Sequence, residues 1–270
     1  MVASIRLAAG VEYDGANFSG WQRQKHHVQT VQESVERALS RVANHPITVM
    51  CAGRTDTGVH GVGQVIHFET TAVREAYNWI LGANANLPKG VALRWVKEVH
   101  PEFHARFSAR WREYVYLISN TRFRPALMRD QMTWVHQPLD AERMHEAAQN
   151  LVGEHDFNAF RAQACQSKTS VRTMYFCSVK RLSESVILHV RANAFLYHMV
   201  RNIAGSLIQV GRGDASPEWI ETVLQGKKRE EAGITAPPDG LHFAAVGYPE
   251  EFEIPPPAPS FPLNWLMMEP

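Results

Sequence analysis

The period of apolar and polar positions changes several times along the chain, and each change marks an element. Residues 4–13 read as a half-buried strand. Thr30-Val31-Gln32-Glu33 is a capping-box signature, and Val31, Val35, Leu39 and Val42 share one face of the helix it opens. Ile47, Val49 and Cys51 alternate into a second strand. After a glycine-rich turn, residues 65–68 predict a third strand, residues 73–81 a second helix and residues 91–99 a fourth strand. The order β-α-β-β-α-β is that of a ferredoxin-like unit.

The second half repeats it. Residues 111–118 are rich in aromatic and β-branched side chains, as a strand is, and Asp140 caps a helix running through Met144, Ala148 and Leu151. Residues 174–179 and 186–190 pair as a hairpin around Ser183-Glu184-Ser185. Residues 195–210 predict a strongly apolar helix, Ser216-Pro217-Glu218 opens another, and residues 241–246 supply a closing strand. The expected fold is α/β (α+β), with two ferredoxin-like β-α-β-β-α-β halves, residues 1–105 and 106–248, whose antiparallel sheets meet at a central catalytic cleft. A Pro-rich acidic tail, residues 249–270, adds no core element.

Composition narrows the class. The chain has 270 residues, 45% of them hydrophobic, enough for one large core or two modest ones. No apolar run is long enough to cross a bilayer, and the first residues lack the pattern of a secretory signal. Cys51, Cys165 and Cys177 form no C-x-x-C pair, which fits a reducing compartment; the expected location is the cytoplasm, with no membrane partner. Net charge is only +1, yet residues 104–129 hold six arginines against Glu113, and residues 161–181 hold five basic residues and no acid. Arginine interleaved with Phe, Trp and Tyr suits phosphate contact and base stacking, although a solvated, ion-paired face has the same composition.

Gly58, Gly61 and Gly63 do not spell a dinucleotide fingerprint, and there is no P-loop, so no nucleotide cofactor is expected. Thirteen histidines lack any zinc spacing, so no metal is expected, and His26-His27 and His100/His104 read as surface or RNA-facing residues. What remains is CAGRTDTGVHG, residues 51–61, with a lone Asp56 at the end of a strand. Such an aspartate often does no more than bond the amides of its turn. Two arginines change that reading. Arg54 lies two residues away, and Arg201 sits within the apolar stretch FLYHMVRNIAGSLIQV, where a guanidinium needs an anion or a route to water.

The segments YDGANFSGWQRQ, AGRTDTGVHG followed by GQVIHF, NANLP, FHARFSARWREYVY, QSKT and NAFLYHMVRNIAGSL together resemble the tRNA pseudouridine synthase A family, in order, from about residue 13 to 248. The resemblance implies isomerisation of uridine to pseudouridine at positions 38, 39 and 40 of the tRNA anticodon stem-loop, without cofactor, by a homodimer. It implies that Asp56 is the nucleophile, with attack at C1′, attack at uracil C6 and a glycal route all compatible. By the same resemblance Arg201 pairs with Asp56, Tyr114 stacks under the flipped uracil, Leu241 forms the opposite wall, and Arg54 enters the stem as the target leaves it. Spacing alone does not separate Tyr114 from Tyr116, which shares its face of the strand. His104, Arg106, Gln166 and Lys168 match tRNA-contacting stretches of the family and would hold phosphates.

Thr57 departs from the pattern, standing where the family commonly has alanine. Two other classes compete. A non-catalytic RNA-binding protein has no use for Asp56 and Arg201 together. A glycosidic-bond hydrolase usually needs a second carboxylate, and none stands out.

Overall fold

The computed structural model describes residues 4–24 and 28–256; His26, His27 and the tail beyond residue 256 lie outside the described residues. The fold is mixed α/β, and the chain divides into two compact units, one built from residues up to 110 and from 243 onward, the other from residues 111–242.

In the first unit, β1 (Ile5–Tyr13) is the central strand, paired antiparallel with β3 (His60–Thr70) on one side and β4 (Val91–Glu98) on the other. Both edges of its backbone are thereby satisfied, which lets most of its length be buried. The short β2 (Met50–Cys51) adds to the far side of β3, giving the order β4-β1-β3-β2. Two helices, α1 (Val31–Ala43) and α2 (Ala76–Asn86), complete the predicted β-α-β-β-α-β order. Thr30 caps α1 as expected, accepting from the Glu33 amide at 3.4 Å.

Two predicted elements differ in extent. The alternation at Ile47 and Val49 reports burial, but only Met50 and Cys51 join the ladder. The Ile47 amide donates instead to Ser40 Oγ at 2.8 Å and the Val49 amide to Glu36 Oε1 at 3.1 Å, so side chains of α1 take donors that a strand partner would otherwise receive. The second helix begins three residues later than predicted. Its buried residues are Trp79 and Ala83, while Val73 and Leu81, the apolar ends of the predicted range, are exposed.

In the second unit, β5 (Trp111–Ser119) pairs antiparallel with β9 (Ser185–Ala192), β9 with β8 (Val171–Leu182), and β8 with β7 (Gly153–Asp156). A two-residue β6 (Thr133–Trp134) runs parallel to β5. Against this sheet lie α3 (Ala141–Gln149), capped by Asp140, and α4 (Met199–Gly211); α5 (Trp219–Gly226) follows. The predicted helix over 195–210 starts only at Met199, because His198 takes a left-handed conformation, φ 60°. Phe195 and Leu196 owe their apolar character to packing in the preceding loop, Phe195 edge-on to Tyr114 and Leu196 buried. β10 (Leu241–Gly247) begins in this unit and ends in the first. No helix among the described residues is long and apolar enough to cross a membrane.

Candidate active site

The segment that carries Asp56 leaves the sheet between β2 and β3, and it is bonded on both sides of that residue. The Ala52 amide still donates to Val65 O at 2.8 Å, as in a ladder. At Gly53 the partner is a side chain: the fully buried Gln64 amide donates from Nε2 to Gly53 O at 2.6 Å and accepts from the Gly53 amide at 3.3 Å. Thr55 is buried, with its carbonyl accepting from the Trp21 amide at 3.0 Å and its hydroxyl 2.8 Å from the Tyr13 hydroxyl. Asp56 O accepts from the Val59 amide at 3.1 Å, closing a turn through Thr57 and Gly58. Gly58 has φ 80°, the left-handed value a type II turn needs at its third residue. Asp56 is half-buried; Arg54 and Thr57 are exposed.

Two further polar side chains of the segment, Cys51 and Thr55, are held in place. Burial pushes the Cys51 thiol up to about 12 even though Arg54 and Arg106 pull the other way, so it stays protonated at neutral pH. The Thr55 hydroxyl is committed to Tyr13. Asp56 is the sole carboxylate in residues 51–61. Among the described residues no three His, Cys, Asp or Glu side chains converge as metal ligands would.

In the second unit, Tyr114 lies on β5 opposite Val190, nearly buried, with its ring edge-on to Phe195 at 4.9 Å. Tyr116 differs from it. Its ring is fully buried, its hydroxyl lies 2.6 Å from Thr133 Oγ1 and donates to Pro237 O at 2.8 Å, and burial raises its pKa. Arg201 occupies the first turn of α4 and is half-buried. Its backbone carbonyl accepts from the Ala236 amide at 3.1 Å while its Nε donates to Ala236 O at 2.8 Å, and Nη1 lies 3.3 Å from His198 Nε2. One edge of the guanidinium is thus fixed by backbone. Leu241, the first residue of β10, is buried.

The expected RNA contacts fall in two places. His104 and Arg106 lie in the segment after β4; Gln166 and Lys168 are both exposed on the loop before β8. Arg161 Nη2 donates to Cys165 O at 2.9 Å and Ser167 O at 3.1 Å, and Arg172 Nη2 donates to Ser167 Oγ at 2.7 Å, so two guanidinium groups hold the backbone from which Gln166 and Lys168 project. His104 is not a ready cation: burial, then Arg6 and Arg106, lower its pKa, and its Nδ1 accepts from the Arg106 and Phe107 amides.

Tyr13 and Gln64 lie in the quoted segments YDGANFSGWQRQ and GQVIHF, but their part in fixing the segment that carries Asp56 is not readable there, nor is that of the Ala236 backbone in fixing Arg201. The one local signal is Gln64, a polar residue in the apolar run of β3.

The sequence profile described as "tRNA pseudouridine synthase" matches residues 9–108 and 147–249. The chain belongs to the tRNA pseudouridine synthase family, whose members are isomerases. It is 53% identical to a tRNA pseudouridine synthase A of Vibrio parahaemolyticus over 251 residues, covering 93% of this chain and 95% of that one. It is 53% identical to that of Cronobacter sakazakii, covering 94% and 93%, and 53% identical to that of Aliivibrio salmonicida, covering 93% and 95%. Among solved structures, an archaeal box H/ACA ribonucleoprotein complex matches at a TM-score of 0.36 with 13% identity, over 88% of this chain and 48% of that one, too distant a likeness to carry structural inference.

Proposed function

We propose that this chain converts uridine to pseudouridine at positions 38, 39 and 40 of the tRNA anticodon stem-loop, with Asp56 as nucleophile. The observation that carries the reading is the Asp56 segment: a lone carboxylate on a backbone bonded on both sides, with the Cys51 thiol held protonated and the Thr55 hydroxyl bonded to Tyr13. The reaction breaks the N1–C1′ bond, turns the uracil, forms C5–C1′, and moves a proton from C5 to solvent while N1 gains one. It is neutral in redox terms, and its requirement is an ionised carboxylate held beside an extruded nucleotide.

In this reading Arg201 keeps Asp56 charged and oriented, an assignment favoured by its braced Nε edge. Tyr114 stacks on the uracil and Leu241 walls the other side. Tyr116 is set aside, because a phenol of raised pKa already tied to Thr133 and Pro237 is poorly placed to take the C5 proton. Exposed Arg54 fills the gap left by the flipped base, and His104, Arg106, Gln166 and Lys168 hold the RNA. The enzyme works as a homodimer in the cytoplasm, and sedimentation at twice the 30.5 kDa chain mass checks the assembly.

Incubation with an unmodified tRNA transcript, followed by mapping of pseudouridine nucleotide by nucleotide, tests the assignment. Product confined to positions 38–40 is expected. Product elsewhere, or release of free uracil, contradicts it, the latter in favour of a hydrolase.

A further inference from the structure

His198, the residue at the start of α4, departs from the usual helix start in two respects. Such a position favours Ser, Thr, Asp or Asn in extended backbone, with the side chain bonded to an amide of the first turn. His198 instead has φ 60° and ψ 6°, and its side chain makes no capping bond. A non-glycine residue takes the left-handed conformation at a cost and keeps it only where the surroundings hold it. Here the backbone is held: His198 O accepts from the Asn202 amide at 2.9 Å, and the next amide, that of Met199, donates to Leu196 O at 3.0 Å.

The conformation sets the direction of the ring. His198 Nε2 lies 3.3 Å from Arg201 Nη1. A guanidinium only donates, so Nε2 accepts, and the imidazole in this contact is neutral with its proton on Nδ1. The Tyr197 ring lies against it, centroids 4.0 Å apart at 31°. Tyr197 is bonded through its own backbone, its amide to Cys165 Sγ at 3.5 Å and its carbonyl from the Ala162 amide at 3.1 Å, so the ring that backs His198 is itself placed.

One hydrogen bond does not orient a guanidinium, because the plane can swing about it. Arg201 has two at different nitrogens, Nε to Ala236 O at 2.8 Å and Nη1 to His198 Nε2. Together they set both the direction and the tilt of the plane, and a carboxylate paired with a planar fork is sensitive to both. We propose that His198 is a positioning residue for the isomerisation, acting through Arg201: its Nε2 holds Nη1 so that the guanidinium meets the Asp56 carboxylate in one orientation. The proposal rests on the reading of Asp56 as nucleophile paired with Arg201.

The test compares wild type with His198→Asn and His198→Gln on an unmodified tRNA transcript. Asn accepts the left-handed backbone as readily as His does, but its amide ends at the level of Nδ1, short of Nε2; Gln carries an amide oxygen to about the reach of Nε2. Both variants should melt within about 4 °C of wild type. His198→Asn should lower kcat about tenfold with Kd for tRNA within about twofold, and His198→Gln should bring kcat back to within about threefold of wild type. Nitrogen NMR of protein labelled at its histidine rings, with His198 assigned by the signal lost in His198→Gln, should show a proton on Nδ1 and none on Nε2. Wild-type kcat in His198→Asn, an equal loss in His198→Gln, a loss confined to Kd, or a proton on Nε2 overturns the role. Wild-type turnover and its loss in Asp56→Asn, read on the same transcript, show whether the parent reading stands, so the two failures are distinct.

Discussion

Around Asp56, the distinction between motif and support is sharpest. Arg54 and Asp56 are legible in the sequence because GRTD is local; the contacts that fix their segment are not, because Gln64 and Tyr13 reach it through space. Spacing does not separate Tyr114 from Tyr116, but their surroundings differ, Tyr116 being bonded to Thr133 and Pro237. Tyr116→Phe should cost about 1–3 kcal/mol, since Thr133 and Pro237 lose a buried partner, while turnover persists; urea unfolding and kinetics on tRNA check both. Arg201→Lys keeps the charge but loses the Nε bond to Ala236 and the planar fork. It should lower kcat by about tenfold or more with a smaller change in KM, and equal kcat would count against an orienting role.

The helices show where element-level reading succeeds and where it stops. Thr30 and Asp140 mark helix starts correctly because a cap is read from a few adjacent residues. Replacing Thr30 by Ala should cost about 1 kcal/mol in thermal or urea unfolding. The start of α4 was misplaced, because the apolar residues before Met199 pack in a loop rather than on a helical face. Gly205 in the same helix carries information no pattern holds. A Cβ there would stand 1.8 Å from Ile234 O, in the segment that also bonds Arg201 and Ser206. In an open helix Gly→Ala would stabilise by up to about 1 kcal/mol. Here Gly205→Ala should destabilise by about 2 kcal/mol or more, with loss of kcat as Arg201 shifts, and a stabilised variant would contradict the packing.

For the whole molecule, the sequence conveyed the repeated strand and helix order and the two basic segments. It did not convey that residues from 243 onward join the first unit, since that grouping depends on distant contacts such as Tyr248 with Ala105 and Phe103. Global stability should also carry the mark of His67. Its folded pKa, about 4, lies below the unfolded value of 6.5, so the unfolded chain binds the proton more readily. The contribution is complete above about pH 6.5 and falls away toward pH 4. A melting temperature that declines over that interval in wild type and less in His67→Gln is the expected outcome. The central claim concerns a single carboxylate, and the most direct measurement is tritium release from tRNA labelled at uridine C5. Wild type should release tritium from the anticodon stem-loop, and Asp56→Asn should release none while binding the same tRNA with similar affinity. Release by Asp56→Asn at the wild-type rate would contradict the account.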